Sequence, residues 1–225
     1  MPLANLSELA LVFAEPSQRP AIRAALDLIA ALDLALPQQG TEEAQLTRLA
    51  WWEAEIQRFV AGSPQHPAAR ELLVHGLSLL QAPHWHRLIR AQAQRIAHPH
   101  PDPQALGDIA SEMGAGFAAM AVLLGHTAQL ATYQRLGADV WLVNELVAST
   151  EYLQHGGLMT VAEQGLVACA DQLSAREPAA DHRFAIVLAS LYARTAARER
   201  HRRGAGAPAP LSRLWIAWRA ALRGR

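Results

Sequence analysis

Apolar residues recur every three or four positions along nearly the whole chain, and Pro, Gly and small polar residues break the runs. That spacing belongs to amphipathic helices, whereas half-buried strands would alternate with a period of two. Residues 2–14 form a short opening helix closed by Glu15-Pro16-Ser17, and residues 19–36 a second, ended by Pro37 and Gly40. Thr41 is placed to cap a third helix with Glu42 and Glu43 in its first turn, where the helix dipole favours acids. This helix runs through Trp51 and Trp52 to Ala61, and Gly62 is its natural terminator. His66-Pro67 opens the next, with proline at the tolerated first position. Pro83 precedes a helix through Arg95, and His98-Pro99-His100-Pro101 is a stiff connector. Asp102-Pro103 caps a long apolar helix to Leu124, and Thr127 opens another that reaches Glu151. Thr160-Val-Ala-Glu163 has the form of a capping box. Pro178 leads into a helix that ends in a basic run at Arg203.

The pattern predicts about ten helices and no strand, with no fixed-period repeat of the solenoid kind. No hydrophilic linker divides the middle of the chain, so the expected architecture is all-α, a single-domain helical bundle over residues 1–203. A Gly/Ala/Pro linker at 204–210 and a C-terminal basic amphipathic helix at 211–225 follow it. Composition agrees, because Ala and Leu dominate the apolar half of the 225 residues and lose little entropy in helices.

The formal net charge is zero, and every basic residue is Arg. From Arg194 onward there are nine Arg against the single Glu199, so a basic tail follows an acidic body. One cysteine, Cys169, excludes an intramolecular disulfide and is expected to be a buried structural thiol. The start has no positive segment followed by a long apolar one, and the apolar stretch Met113–Gly125 is short for a membrane span. The expected location is cytoplasmic, with peripheral contact at the inner face of a membrane as an option.

The segment Arg48-Leu-Ala-Trp-Trp-Glu-Ala-Glu-Ile, followed by Ala61-Gly62-Ser-Pro-Gln-His66-Pro67, resembles the squalene/phytoene synthase family. Members show a basic residue, a tryptophan pair and a Gly-x-Pro-x-His-Pro corner. Ser111-Glu112-Met-Gly114-Ala-Gly116 is similar to the family's small-residue helix, and Leu136 to Asn144 to the stretch that enters its second acidic motif. Gly156-Gly157 to Glu163 and the Trp-Arg-Ala-Ala-Leu-Arg ending extend the likeness over residues 20–222. The resemblance implies the isoprenoid-synthase helical fold, a role in terpenoid biosynthesis, and a ligand pocket at Trp51, Trp52, Gly114, Gly116, Trp141 and Asn144.

Enzymes of that family hold a prenyl diphosphate through Mg²⁺ ions on two aspartate-rich clusters, since the departing diphosphate gathers negative charge that metal and Arg must absorb. Here the first cluster is reduced to Asp27 and Asp33, six apart and on largely opposite helix faces. In the second, aligned on Asn144, Val147 and Ala148 replace an Arg-Asp pair, and Tyr152 follows Glu151 where an Asp belongs. The resemblance therefore implies a catalytically silent relative, a pseudoenzyme of transferase-like build that binds an isoprenoid, a lipid or a protein partner. The family branch containing a respiratory complex I assembly factor is of this type. No cofactor and no metal are expected. The alternative is a Mg²⁺-dependent prenyltransferase that condenses prenyl diphosphates with a diverged site, for which Glu112, Glu145 and Glu151 are the catalytic candidates.

The pairs His84/His86 and His98/His100 invite a metal reading; the first diverges, being two apart on a helix, and the second lies in a connector that would allow chelation, but no Cys or HExxH pattern supports a site. No Walker A, GxGxxG or GxSxG motif occurs, and no nucleic-acid partner is expected. In the tail, Leu211, Leu214, Trp215, Trp218 and Leu222 make one apolar stripe, with Arg213, Arg219 and Arg223 around it. Such a segment suits a membrane or partner surface, and equally well docking on the bundle.

Overall fold

The computed structural model describes residues 4–33, 41–76, 81–148, 156–176 and 179–201. Among them the secondary structure is entirely helical. The α-helices are α1 (Ala4–Leu11), α2 (Arg19–Asp33), α3 (Glu42–Val60), α4 (Pro67–Val74), α5 (Ala82–Ala97), α6 (Pro103–Met113), α7 (Ala115–Leu123), α8 (Leu130–Ala148), α9 (Gly156–Ser174) and α10 (Arg183–His201). Short 3-10 turns at Thr127–Gln129 and Ala179–His182 lead into α8 and α10.

Several boundaries follow from the expected side chains. Thr41 Oγ1 accepts the Ala44 amide, and Asp102 Oδ1 accepts the Ala105 amide at 2.8 Å, each satisfying a donor that a helix start leaves open. His66 caps α4 through Nδ1, with Pro67 at the first helical position. Gly62 adopts φ +76°, a left-handed conformation that costs glycine nothing and lets the chain turn out of α3. Two expectations are corrected. Thr160 lies inside α9, which already begins at Gly156, so Thr160 and Glu163 form no capping box. The long apolar helix is two helices that meet at Gly114, whose amide still bonds to the Ala110 carbonyl. By length and composition alone Pro103–Leu123 would cross a membrane, but 67% of its most apolar window is buried inside the fold. That burial is what a core helix requires.

The chain gathers into two compact units, one of Pro20–Gly137 and the other of Met1–Arg19 with Ala138–Arg225. In the first, α5 packs against α3, α6 and α7, and buries Trp85, Leu88, Ile89, Ala91 and Gln92. Close approach at α7 depends on glycine: a Cβ on Gly116 would stand 2.8 Å from Ile29 Cγ1, and one on Gly137 2.8 Å from Phe117 Cβ. In the second unit α10 packs on α9 and α1. Residues Phe184 to Ala189 are buried without a break, so this half of α10 is enclosed on all sides. Tyr192 on α10 donates to Asn144 Oδ1 on α8, and burial pushes its phenol up to about 12. Cys169 on α9 is buried, as expected of a structural thiol.

Candidate functional site

The chemistry of the Pro20–Gly137 unit collects around α3 and α5. On α3, Trp52, Glu55, Ile56 and Phe59 face inward at helical spacing. Glu55 is a carboxylate with 0% exposure, and its partners explain how it is tolerated. Oε1 accepts the Gln65 and His66 amides at 2.6 and 2.7 Å, and Oε2 accepts Arg58 Nε at 2.7 Å. One buried carboxylate thus folds the Gly62–Pro67 corner back onto its own helix. The His66 ring then rests 4.6 Å from Trp52, centroid to centroid, and Trp51 meets Trp52 edge-on at 5.2 Å. The Arg58 guanidinium sits 5.4 Å above the Trp51 ring in a cation–π contact. Trp52 belongs to the core, while Trp51 is 41% exposed.

The outward face of α3 carries Glu53 and Gln57, one turn apart. Opposite them, Pro83, His86, Arg87 and Arg90 follow one another at i, i+3, i+4 and i+7 on α5, a single helix face. Together with Ala82 these six side chains line a cleft of about 620 Å³. His86 Nδ1 lies 2.8 Å from Glu53 Oε1, without the alignment of a hydrogen bond. Its Nε2 is 3.4 Å from the Gln57 amide nitrogen.

Arg87 is held rigidly. Its Nε and Nη2 donate to the two oxygens of Glu112 at 3.0 and 2.9 Å, and Nη1 donates to Gln134 Oε1 at 3.2 Å. Gln134 is in turn tied to the Ser111 carbonyl. The bidentate hydrogen bond from Arg87 holds the Glu112 carboxyl below its ordinary range, helped by the charges of Arg87 and Arg90, and Glu112 raises Arg87. His84, on the other side of the buried Trp85, is pushed down by burial and by the Arg87 charge. The two histidines therefore occupy different environments, as their spacing requires.

The other expected site residues are placed as follows. Gly114 is the joint of α6 and α7, and Gly116 is filled by Ile29 and Leu88 of the protein itself. Trp141 is buried, Asn144 binds Tyr192, and the half-buried Glu145 has a partner; all three belong to the unit that contains α10. Asp33 accepts Gln92 Nε2 at 3.2 Å and Arg95 Nη1 at 2.9 Å, whereas Asp27 is exposed. Glu151, Tyr152 and the tail residues Arg213, Trp215, Trp218, Arg219 and Arg223 lie outside the described residues. Among the described residues no group of three or more His, Cys, Asp or Glu is arranged to hold an ion. Glu112 has both carboxylate oxygens on Arg87.

Glu55 and the cleft were not singled out from sequence. Glu55 was visible as an acid three residues after Trp52 on an apolar face, and the cleft as two polar stripes at helical spacing. No family model matches this chain, and neither a curated protein nor a solved structure matches it.

Proposed function

We propose that this protein is a catalytically silent relative of the squalene/phytoene synthases and acts by binding a protein partner, in the manner of an assembly factor. The observation that carries this reading is the double hydrogen bond from Arg87 to Glu112. Glu112 is a candidate metal ligand, and a carboxylate with both oxygens on one guanidinium has little to offer a cation. Asp33 accepts Arg95 and Gln92 on a single oxygen, Oδ1. The small residues that would admit a ligand instead admit Ile29, Leu88 and Phe117, so the fold serves as a packed scaffold.

The test is incubation of the purified chain with farnesyl and geranylgeranyl diphosphate in Mg²⁺, with products followed by mass spectrometry. The expected result is no product. Magnesium-dependent product that disappears in Glu112→Ala would overturn the proposal and install the prenyltransferase alternative. Saturable quenching of tryptophan fluorescence by farnesol would replace the protein partner with an isoprenoid ligand.

A further inference from the structure

The cleft between α3 and α5 carries opposite charges on its two walls. The α5 wall presents the guanidiniums of Arg87 and Arg90, and the α3 wall presents the carboxylate of Glu53. From this juxtaposition we infer that the cleft binds a small zwitterion of the amino-acid type, with the ligand carboxylate on the arginine wall and its ammonium on Glu53. The inference stands apart from the proposed function and uses none of its metal or scaffold arguments.

Three features lead to this ligand. First, Arg87 is pre-organised. Glu112 takes the Nε/Nη2 edge of its guanidinium and Gln134 one Nη1 hydrogen, which fixes its plane and leaves one N–H each on Nη1 and Nη2 for a further acceptor. Ordering a free arginine would cost side-chain entropy that this site has already lost in folding. Second, Arg90 follows one turn after His86 on the same face and adds a second positive charge to that wall. Arg87 is balanced by Glu112, so Arg90 supplies the charge that a ligand carboxylate would neutralise. Third, Glu53 is half exposed, and among the described residues it meets the bent contact from His86 at Oε1. It keeps acceptor capacity for an ammonium group. A simple anion would meet Glu53 unfavourably, and a simple cation would meet the arginines, so only a ligand carrying both charges suits both walls. About 620 Å³ accepts an amino acid with a short side chain and its bridging waters.

The experiment is a titration of the full-length, ¹⁵N-labelled protein with L-serine, sodium acetate and methylammonium chloride, each alone, observing the backbone amides of α3 and α5 and the His86 ring. L-serine is expected to shift residues 53, 57, 86, 87 and 90 saturably, at least ~10-fold more tightly than either half-ligand. Arg90→Ala is expected to weaken L-serine and acetate alike by roughly 10-fold or more, as for loss of a charged hydrogen bond. Glu53→Gln is expected to weaken L-serine by a similar factor and to leave acetate unchanged or tighter. Both residues lie on the surface, so the thermal midpoints of the variants should stay near wild type. Absence of saturable shifts with L-serine overturns the inference. So do acetate binding as tight as L-serine, which would make the cleft an anion site, and equal L-serine binding by wild type and both variants.

Discussion

Glu55 sets the geometry of the α3–α4 corner, and its replacement is the most demanding test of the architecture. It is fully buried, and its three hydrogen bonds are all short. Glu55→Ala leaves the Gln65 and His66 amides and Arg58 Nε without their acceptor. Removing one partner of a buried charged pair costs about 3–5 kcal/mol, and each unsatisfied donor about 1–3 kcal/mol where water does not reach it. Arg58 is partly exposed and recovers solvent, so the lower part of that range is expected, about 3–4 kcal/mol. Glu55→Gln keeps the shape and one carbonyl for the two amides but turns an NH₂ group toward Arg58. It should cost about 2 kcal/mol, between wild type and alanine. Urea unfolding followed by tryptophan fluorescence measures both values, with Glu53→Ala as an exposed control expected within about 0.5 kcal/mol of wild type. The near-ultraviolet circular dichroism should also weaken in Glu55→Ala, because Trp51, Trp52 and His66 lose their common support. If Glu55→Ala costs less than about 1 kcal/mol, the corner is held by something other than this carboxylate, and the reasoning fails.

Further predictions concern charge and packing. Glu112 is held below its ordinary range, so its contribution is complete above the unfolded value of 4.5 and fades as pH falls through the lower folded value. The stability gap between wild type and Glu112→Gln in urea should therefore shrink on going from neutral pH to below 4.5; with 31% of the side chain exposed, solvent screening keeps it to about 1 kcal/mol. Tyr192 behaves oppositely: its folded value is raised to about 12 from 10.0, so stability should fall as pH rises from 10 toward 12, and Tyr192→Phe should remove that loss while costing about 1 kcal/mol at neutral pH. An ultraviolet titration should show one tyrosine ionising only near the alkaline unfolding transition. Gly137→Ala meets Phe117 Cβ, which moves only with its helix, and should destabilise by about 1–3 kcal/mol in thermal unfolding. Gly116→Ala meets Ile29 Cγ1 at 2.8 Å, beside the branch point of a side chain stiff in a helix, and this strain of about 1–3 kcal/mol should outweigh the helix-propensity gain of about 1 kcal/mol.

Much of the fold was legible because helix boundaries are local. Thr41, Asp102, Gly62 and His66-Pro67 act within four residues of themselves, and the structure uses each as its chemistry suggests. Thr160 misled because a capping-box pattern is also found inside a helix, and only the start of α9 at Gly156 settles its place. The site was less legible. Glu112 reads in the sequence as a carboxylate near small residues, but its role depends on Arg87, 25 positions earlier on a different helix. Asp33 depends likewise on Gln92 and Arg95. Pairings of this range come from packing and leave no periodic trace. Glu55 fell between the two cases, since its partners lie close by in the chain but are backbone amides, which every sequence has.

The Glu55 corner bears on which substitutions such a chain accepts. Its tryptophan pair and His-Pro turn are joined through one buried acid, so the corner adds to stability independently of any ligand or reaction. Substitution at Glu55, Trp52 or His66 would therefore be limited by the cost to packing before any activity is considered.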